Sequence, residues 1–246
     1  MTDLLVPARF CGPPVSGNGG WTSGAMAQLV HGHPRDHTEP WPAITVTLRR
    51  PPPLDTAVPT SEAAGVTTAG DDQGAVASAE LAGEQLTEVE TVDARTALAA
   101  EAAYAGWASH PFVSCFTCGP DRDEGDGLCI YPGPIGDGSM LTCAWTPNPE
   151  FAGTDGSLSD EVVWAALDCP SGNAAHHHDP AEGPMVLARL RARLERPIAA
   201  GEPHVVAGWA IERDGRKHRS ATAIYDRGGE PLAWADALWV ELKPEG

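Results

Sequence analysis

The sequence predicts an α+β protein made of two similar domains, each an antiparallel sheet wrapped around one central helix. Two pairs of matching segments lie 146 positions apart: Arg50-Pro51 recurs as Arg196-Pro197, and Gly83-Glu84 recurs as Gly229-Glu230. In both copies Arg-Pro ends a strand-like segment, and Gly-Glu forms a turn between two further strands. A repeat of this length is too long for a solenoid unit, so the 246 residues are expected to form two fused domains.

Each copy is expected to contain one short helix that is rich in small residues. Residues 18–20 (Asn-Gly-Gly) and 159–161 (Ser-Asp-Glu) lie 141 positions apart, and a Trp follows each turn within a few positions. Apolar residues at helical spacing predict helices from 20 to about 30 and from 160 to 169. Pro170 is expected to stop or kink the second helix, because proline has no N–H to donate.

Alternation of apolar and polar residues predicts the strands around these helices. The clearest case is 43–50, where Ile44, Val46 and Leu48 alternate with threonine and arginine. Similar segments predict further strands at about 56–60, 63–69, 74–82, 85–91, 128–131, 140–145, 185–195, 203–213, 217–226 and 231–242. The second copy is longer between its helix and the next strand, and we place the extra residues in a loop at 176–179, His-His-His-Asp.

A segment rich in alanine separates the two copies. Residues 93–108 have the high helix propensity that a linker helix requires. The predicted organisation is therefore an N-terminal domain at 1–92, a linker helix at 93–109 and a C-terminal domain at 110–246.

The composition argues against nucleic acid and membranes as partners. The formal net charge is −18, whereas both nucleic acid and anionic membranes require a basic protein surface. No apolar segment approaches the roughly 20 residues of a membrane span. The N-terminus lacks the charged and apolar regions of a signal peptide, so we expect a cytoplasmic protein.

The six cysteines are expected to be reduced thiols in that compartment. Cys115 and Cys118 form a CxxC pair, and a zinc site would need further ligands. Cys129 and Cys143 are the candidates, but both fall in or near expected strands. Adjacent histidines at 176–178 cannot all turn to one point, so that segment is expected to be solvated. We therefore expect no metal.

Three stretches of the second copy match a known family pattern. They are Cys115-Phe116-Thr117-Cys118-Gly119 followed by Gly127-Leu128, the segment from Ser159 to Asp168, and the segment from Val186 to Pro197. In these stretches the chain resembles the hotdog-fold acyl-CoA thioesterase superfamily, in particular its phenylacetate-pathway and 4-hydroxybenzoyl-CoA thioesterase-like branch. The resemblance implies a tandem, or double, hotdog, in which one chain imitates the usual homodimer.

The resemblance also implies a function, the hydrolysis of an acyl-CoA or a related small-molecule acyl thioester. No cofactor is implied apart from the coenzyme A moiety of the substrate. In the family, a glycine-rich turn begins the helix of one subunit, and a catalytic acid comes from the helix of the other. Backbone N–H groups at a helix N-terminus stabilise the oxyanion of the reaction. The carboxylate attacks the carbonyl or activates a water.

The two copies depart from this pattern in complementary ways. The first keeps the Asn18-Gly19-Gly20 turn but has Ala27 where the acid belongs. The second keeps Asp168, but its turn at 159–161 carries two carboxylates where an oxyanion would form. One composite site is therefore implied. Gly20, together with Gly19, would donate to the oxyanion, Asn18 would orient the thioester or the water, and Asp168 would be the base or nucleophile.

Four further residues are expected to contact the substrate. Trp21 and Trp164 follow the two turns and are expected to form core or pocket walls. Arg50 and Arg196 are candidates for the phosphate groups of coenzyme A, because a very acidic protein needs local basic groups there. The edge strands of a double hotdog also leave room for a homodimer.

Two other functions remain open at this point. The lost glycine turn of the second copy and the acidic charge favour a non-catalytic protein that binds acyl groups or acyl-CoA. A hotdog hydratase or dehydratase ranks third, since His176 lies eight residues beyond Asp168 with Pro170 between them.

Overall fold

The computed structural model describes residues 2–30, 42–83, 87 and 92–243. The α-helices of these residues are α1 (Gly19–Ala27), α2 (Ala94–Ala100) and α3 (Asp160–His178). Their strands are β1 (Ile44–Leu48), β2 (Thr60–Ala63), β3 (Val66–Asp71), β4 (Gly74–Leu81), β5 (Gly133–Ile135), β6 (Met140–Trp145), β7 (Met185–Leu194), β8 (His204–Asp214), β9 (Lys217–Tyr225) and β10 (Pro231–Glu241). None of the described helices is long and apolar enough to span a bilayer.

All the strands of the described residues form one antiparallel sheet in the order β2-β3-β4-β1-β7-β10-β9-β8-β6-β5. The two halves join where β1 pairs with β7. In that pair Thr45 lies opposite Arg191, and the two positions are 146 residues apart. A residue that pairs with its own counterpart in the other copy lies where a twofold axis relating the copies would pass. The register therefore agrees with the spacing of the sequence repeat.

Helices α1 and α3 pack against each other and against the sheet, α1 on β1 and β4 and α3 on β8, β9 and β10. They run antiparallel, because Gly20 contacts Trp164 and Ala165 while Gly24 contacts Glu161. A Cβ atom added at Gly20 would lie 2.4 Å from the Trp164 carbonyl oxygen, and one added at Gly24 would lie 2.6 Å from the Glu161 Cα. The two glycines therefore let the helix backbones meet directly. One hydrophobic core contains residues of both helices and both halves of the sheet.

Several predicted elements need correction. The predicted strand at 128–131 is not a strand, because Leu128 and Ile130 donate their N–H groups to the carbonyls of Phe116 and Thr117 in a loop. Cys129 between them has a φ of 52°, which breaks an extended backbone. The predicted boundaries at 56–60 and 63–69 are also wrong, because β2 continues to Ala63 and the turn comes after it.

Pro170 does not end the second helix. α3 continues from Asp160 to His178, so the predicted loop of histidines is its last turn. Near the proline, the Ser171 hydroxyl donates to the Asp168 carbonyl at 2.7 Å and accepts from Trp239 Nε1 at 2.8 Å. These contacts and the burial of the helix offset the N–H that proline removes.

The linker and one strand are only partly comparable with the structure. Helix α2 lies inside the predicted linker and is capped by Asp93, whose carboxylate accepts from the N–H groups of Arg95 and Thr96. The strand predicted at 85–91 lies outside the described residues except for Thr87. The domain boundaries stay predictions.

Candidate functional site

The N-cap residue of α1, Asn18, contacts several parts of the protein through its side chain. Asn18 is buried, and its Oδ1 accepts from the Trp21 N–H at 2.8 Å, as an N-cap residue does. Its Nδ2 lies 3.3 Å from Thr117 Oγ1 and 3.6 Å from Cys115 Sγ. The Thr117 hydroxyl in turn donates to the Ala165 carbonyl on α3 at 2.9 Å. The start of α1 is therefore fixed to the 115–118 segment and to α3.

Gly20 and Asp168 meet at this helix start. The Gly20 N–H donates to Asp168 Oδ2 at 2.9 Å, and Asp168 is only 2% exposed. The other carboxylate oxygen, Oδ1, has no hydrogen-bond partner among the described residues. Burial raises the pKa of Asp168 to about 8, and the Gly20 N–H opposes this shift. Half of this buried carboxylate is bound, and the other half is unpaired.

The neighbouring glycine has an unused donor. Among the described residues, none accepts a hydrogen bond from the Gly19 N–H. Gly19 is half-buried, and a Cβ atom added to it would lie 2.9 Å from the Leu187 Cβ on β7. At the start of α1, the unpaired N–H donor of Gly19 and the unpaired carboxylate oxygen of Asp168 therefore lie on neighbouring groups. This differs from the expectation that the Gly20 N–H is free for an oxyanion.

The corresponding turn of the second copy is built differently. Asp160 and Glu161 form the first turn of α3, where the helix dipole favours acidic side chains. Ser159 occupies the N-cap position, but its side chain makes no capping hydrogen bond. Ala27, which corresponds to Asp168, is buried on α1. Two carboxyl groups therefore lie at the start of α3, and α1 carries no carboxyl group at Ala27, the counterpart of Asp168.

The four predicted substrate contacts lie in two kinds of environment. Trp21 is 8% exposed and stacks on Phe10 with ring centroids 4.6 Å apart. Trp164 is 2% exposed, and both tryptophans belong to the hydrophobic core. The two arginines each have a carboxylate partner. Arg50 forms an ion pair with Asp71, and Arg196 lies 3.5 Å from Asp226. A cavity of about 290 Å³ is lined by none of the candidate site residues.

A cluster of cysteines lies beside this helix start. Cys115, Cys118 and Cys169 are all buried, and their sulfur atoms lie within 4.8 Å of one another. Cys129 and Cys143, the further zinc ligands considered from the sequence, do not belong to this cluster, whereas Cys169 does. The position of Cys169 directly after Asp168 was the one available signal that it belongs here.

Comparison with solved structures agrees with this architecture. A TesB protein from Mycobacterium avium subsp. paratuberculosis is 12% identical, with a TM-score of 0.62 over 97% of this chain and 91% of that chain. A conserved protein of unknown function with a hot dog fold from Alicyclobacillus acidocaldarius is 13% identical, with a TM-score of 0.57 over 98% and 92%. The acyl-CoA thioesterase II TesB2 from Mycobacterium marinum is 12% identical, with a TM-score of 0.53 over 83% and 81%.

No protein-family model and no curated protein matches the chain. At 12–13% identity the likeness to solved structures concerns the fold. Its extent is nonetheless close to the full length of this chain for two of the three structures. The chain therefore has an α+β fold of two fused hotdog domains, each an antiparallel sheet wrapped around a central helix.

Proposed function

We propose that this protein hydrolyses an acyl-CoA or a related acyl thioester at one composite site between α1 and α3. The observation that carries the proposal is the Asp168 carboxylate, which is held by the Gly20 N–H on one oxygen and unpaired on the other. Burying an unpaired carboxylate oxygen costs free energy, so such a group in a folded protein is a candidate for a functional role. Two of the solved structures that share the fold carry TesB names, one of them acyl-CoA thioesterase II, which supports the reaction class.

In this mechanism Asp168 supplies the reactive group in its ionised form, which the pKa of about 8 makes the minor form at pH 7. The Gly20 N–H fixes Oδ2 and so orients Oδ1. Oδ1 either takes a proton from a water that attacks the thioester carbonyl, or attacks that carbonyl itself to form an anhydride that water then hydrolyses. In both routes the C–S bond breaks and coenzyme A leaves as its thiolate, which takes up the released proton. The bond also ties the group to α1, so that the distance between carboxylate and helix start is set by the helix packing. Gly20 therefore acts as a positioning residue in this proposal.

The oxyanion of the tetrahedral intermediate is assigned to Gly19. Its N–H is the unpaired donor at the start of α1, where the helix dipole favours negative charge. Asn18 caps the same helix, and its Nδ2 lies on the side of Thr117 and Cys115. It therefore holds the turn in place, and its side chain opposes the rise that burial causes in the pKa of Asp168.

Only one such site is proposed for each chain. At the start of α3, Asp160 and Glu161 would repel the developing oxyanion, and Ala27 provides no carboxylate opposite them. The branch of the superfamily remains a prediction. So do the contacts of Arg50 and Arg196 with coenzyme A. Each arginine would have to exchange its carboxylate partner for a phosphate of the substrate.

A non-catalytic acyl-binding protein is the second candidate. It is favoured by the burial of Asp168 and by the engagement of the Gly20 N–H, because both must yield before a thioester reaches the carboxylate. A hydratase is supported least. His176 is exposed and lies eight residues along α3 from Asp168, a rise of about 12 Å, which is too far for the two to act on one substrate atom.

A thiol-release assay over short, medium, long-chain and aryl acyl-CoAs tests the proposal. We expect turnover of at least one acyl-CoA, and a loss of about 10²- to 10⁴-fold in kcat for Asp168→Asn, which keeps the shape of the side chain. Glu161→Gln is the matched control in the other turn and should stay within about twofold of the unmodified protein. No turnover, together with a melting temperature raised by acyl-CoA, would favour the binding protein. Full activity in Asp168→Asn would disprove the mechanism.

A further inference from the structure

Three thiols from two distant parts of the chain meet in one buried place. Cys115 and Cys118 lie on the segment that contacts the start of α1, and Cys169 lies on α3. The sulfurs of Cys115 and Cys169 are 3.6 Å apart, and all three sulfurs lie within 4.8 Å of one another. Thiolates bound to one zinc ion at about 2.3 Å in tetrahedral geometry are about 3.8 Å apart. The 3.6 Å pair is close to this separation, and the 4.8 Å limit on the other pairs leaves room for three ligands around a single ion.

The backbone of the CxxC segment is a tight turn. The Gly119 N–H donates to the Cys115 carbonyl at 2.9 Å and closes the turn. A Cβ atom added at Gly119 would lie 2.4 Å from the Val113 carbonyl oxygen, so the chain can fold back here only with glycine. The Tyr104 hydroxyl donates to the Cys118 carbonyl at 2.9 Å. The turn therefore holds both sulfurs on one side without the need for a metal to shape it.

Hydrogen-bond donors converge on these sulfurs. Asn18 Nδ2 lies 3.6 Å from Cys115 Sγ, and His110 Nε2 lies 3.3 Å from Cys118 Sγ. The other ring nitrogen of His110 accepts from the Phe112 N–H at 3.0 Å, so in the neutral ring Nε2 carries the proton and donates it. Donors of this kind stabilise negative sulfur and orient it, as residues around metal ligands do. Buried negative sulfur needs a compensating cation.

We propose that Cys115, Cys118 and Cys169 bind a zinc ion as thiolates. Sulfur ligands favour zinc over magnesium or calcium, and binding releases the thiol protons to solvent. Among the described residues no fourth Cys, His, Asp or Glu joins the group, and His110 serves as a donor to a ligand. The ion ties the CxxC turn to α3. It therefore holds Asn18, which contacts the turn, and Cys169, which follows Asp168. This replaces the expectation that no metal binds.

The direct test is the metal content of untagged protein that is purified under reducing conditions from zinc-supplemented medium. We expect about one zinc per chain in the unmodified protein. Cys169→Ser and Cys118→Ser should lower that content at least about tenfold. Cys129→Ser is the matched control, because Cys129 is a half-buried thiol of the same region whose sulfur donates to the carbonyls of Arg122 and Gly127 and is not one of the three clustered sulfurs. Its zinc content should be unchanged.

A second measurement keeps the proposal testable if a serine variant does not fold. Metal is removed from the unmodified protein with a chelator, and Co²⁺ or Zn²⁺ alone is added back. A thiolate-to-cobalt charge-transfer band and a melting temperature raised by Zn²⁺ would support the site. The proposal is overturned by metal-free protein with three reduced thiols that takes up no ion, by unchanged zinc in Cys169→Ser, or by a mass two hydrogens lower that reveals a disulfide.

Discussion

The Gly20 N–H lies 2.9 Å from Asp168 Oδ2, and this hydrogen bond joins the first turn of α1 to the middle of α3. The two residues are separated by 148 positions and belong to different predicted domains. The contact exists because two glycines allow the helices to touch through their backbones. Packing between the halves therefore decides where the carboxylate lies.

Replacing Gly20 with alanine should separate the helices. The new Cβ atom would meet the backbone of Trp164 and Ala165, which cannot move as a side chain can. We expect a loss of about 1–3 kcal/mol in the free energy of unfolding, measured by urea denaturation. Gly83→Ala is the control, because no heavy atom lies within 4 Å of its added Cβ. Equal stability of the two variants would contradict the proposed helix contact.

Asn18→Ala should weaken the start of α1. The variant loses the acceptor for the Trp21 N–H and the contacts to Thr117 and Cys115, so we expect a cost of about 1–2 kcal/mol in unfolding free energy. Asn18→Ser keeps a capping oxygen and should recover part of that loss. If alanine and serine were equivalent at this position, capping would not explain the role of Asn18.

The Ser171 hydroxyl should be coupled to the indole of Trp239. It accepts from Trp239 Nε1 at 2.8 Å in a fully buried place, so Ser171→Ala leaves that N–H unpaired at a cost of about 1–3 kcal/mol. In a Trp239→Phe background the donor is absent, and the same change should cost about 1 kcal/mol less. A double-mutant cycle by thermal or urea unfolding gives the coupling. A coupling of zero would show that the hydrogen bond contributes nothing.

Glu241 should make stability depend on pH in the acid range. Its Oε1 accepts from His218 Nε2 at 2.7 Å and from Arg213 Nη2 at 2.8 Å. The hydrogen bond from His218, and then the charge of Arg213, lower the pKa of Glu241 in the folded protein. The unfolded chain therefore takes up a proton first, and the stability that this group supplies is lost as pH falls below the ordinary glutamate pKa of about 4.3.

The check is a set of melting temperatures between neutral and acid pH. Glu241→Gln should lie below the unmodified protein at pH 7, and the gap should narrow as the pH falls. Glu212→Gln breaks an ion pair with Arg219 in which both side chains are more than half exposed, and it should change little. A constant gap at all pH values would mean that the charge of Glu241 is not responsible.

Local patterns in the sequence were enough for much of the fold. Alternating residues place β1, β4 and β6 to β10 close to their predicted positions, and Asn18 marks the start of α1. The spacing of the repeat even agrees with the register that brings Thr45 opposite Arg191. These features depend on neighbours along the chain or on the repeat itself, both of which the sequence displays.

The errors come from contacts between distant residues. By its local chemistry Pro170 should end a helix. Helix α3 nevertheless continues past Pro170, because buried contacts with Trp239 stabilise the helix there. The meeting of Asp168 with Gly20 was expected from the family resemblance, but the use of the Gly20 N–H by the carboxylate was not. Cys169 joins the CxxC turn only because the chain brings α3 there, and spacing alone pointed to other cysteines.

The claim of one composite site in each chain is tested most directly by binding stoichiometry. A hydrolysis-resistant thioether analogue of the best acyl-CoA substrate is titrated into the protein by isothermal calorimetry, with the chain concentration fixed by amino-acid analysis. We expect one analogue bound for each chain and the same stoichiometry in Glu161→Gln. Two analogues for each chain, or none, would contradict it.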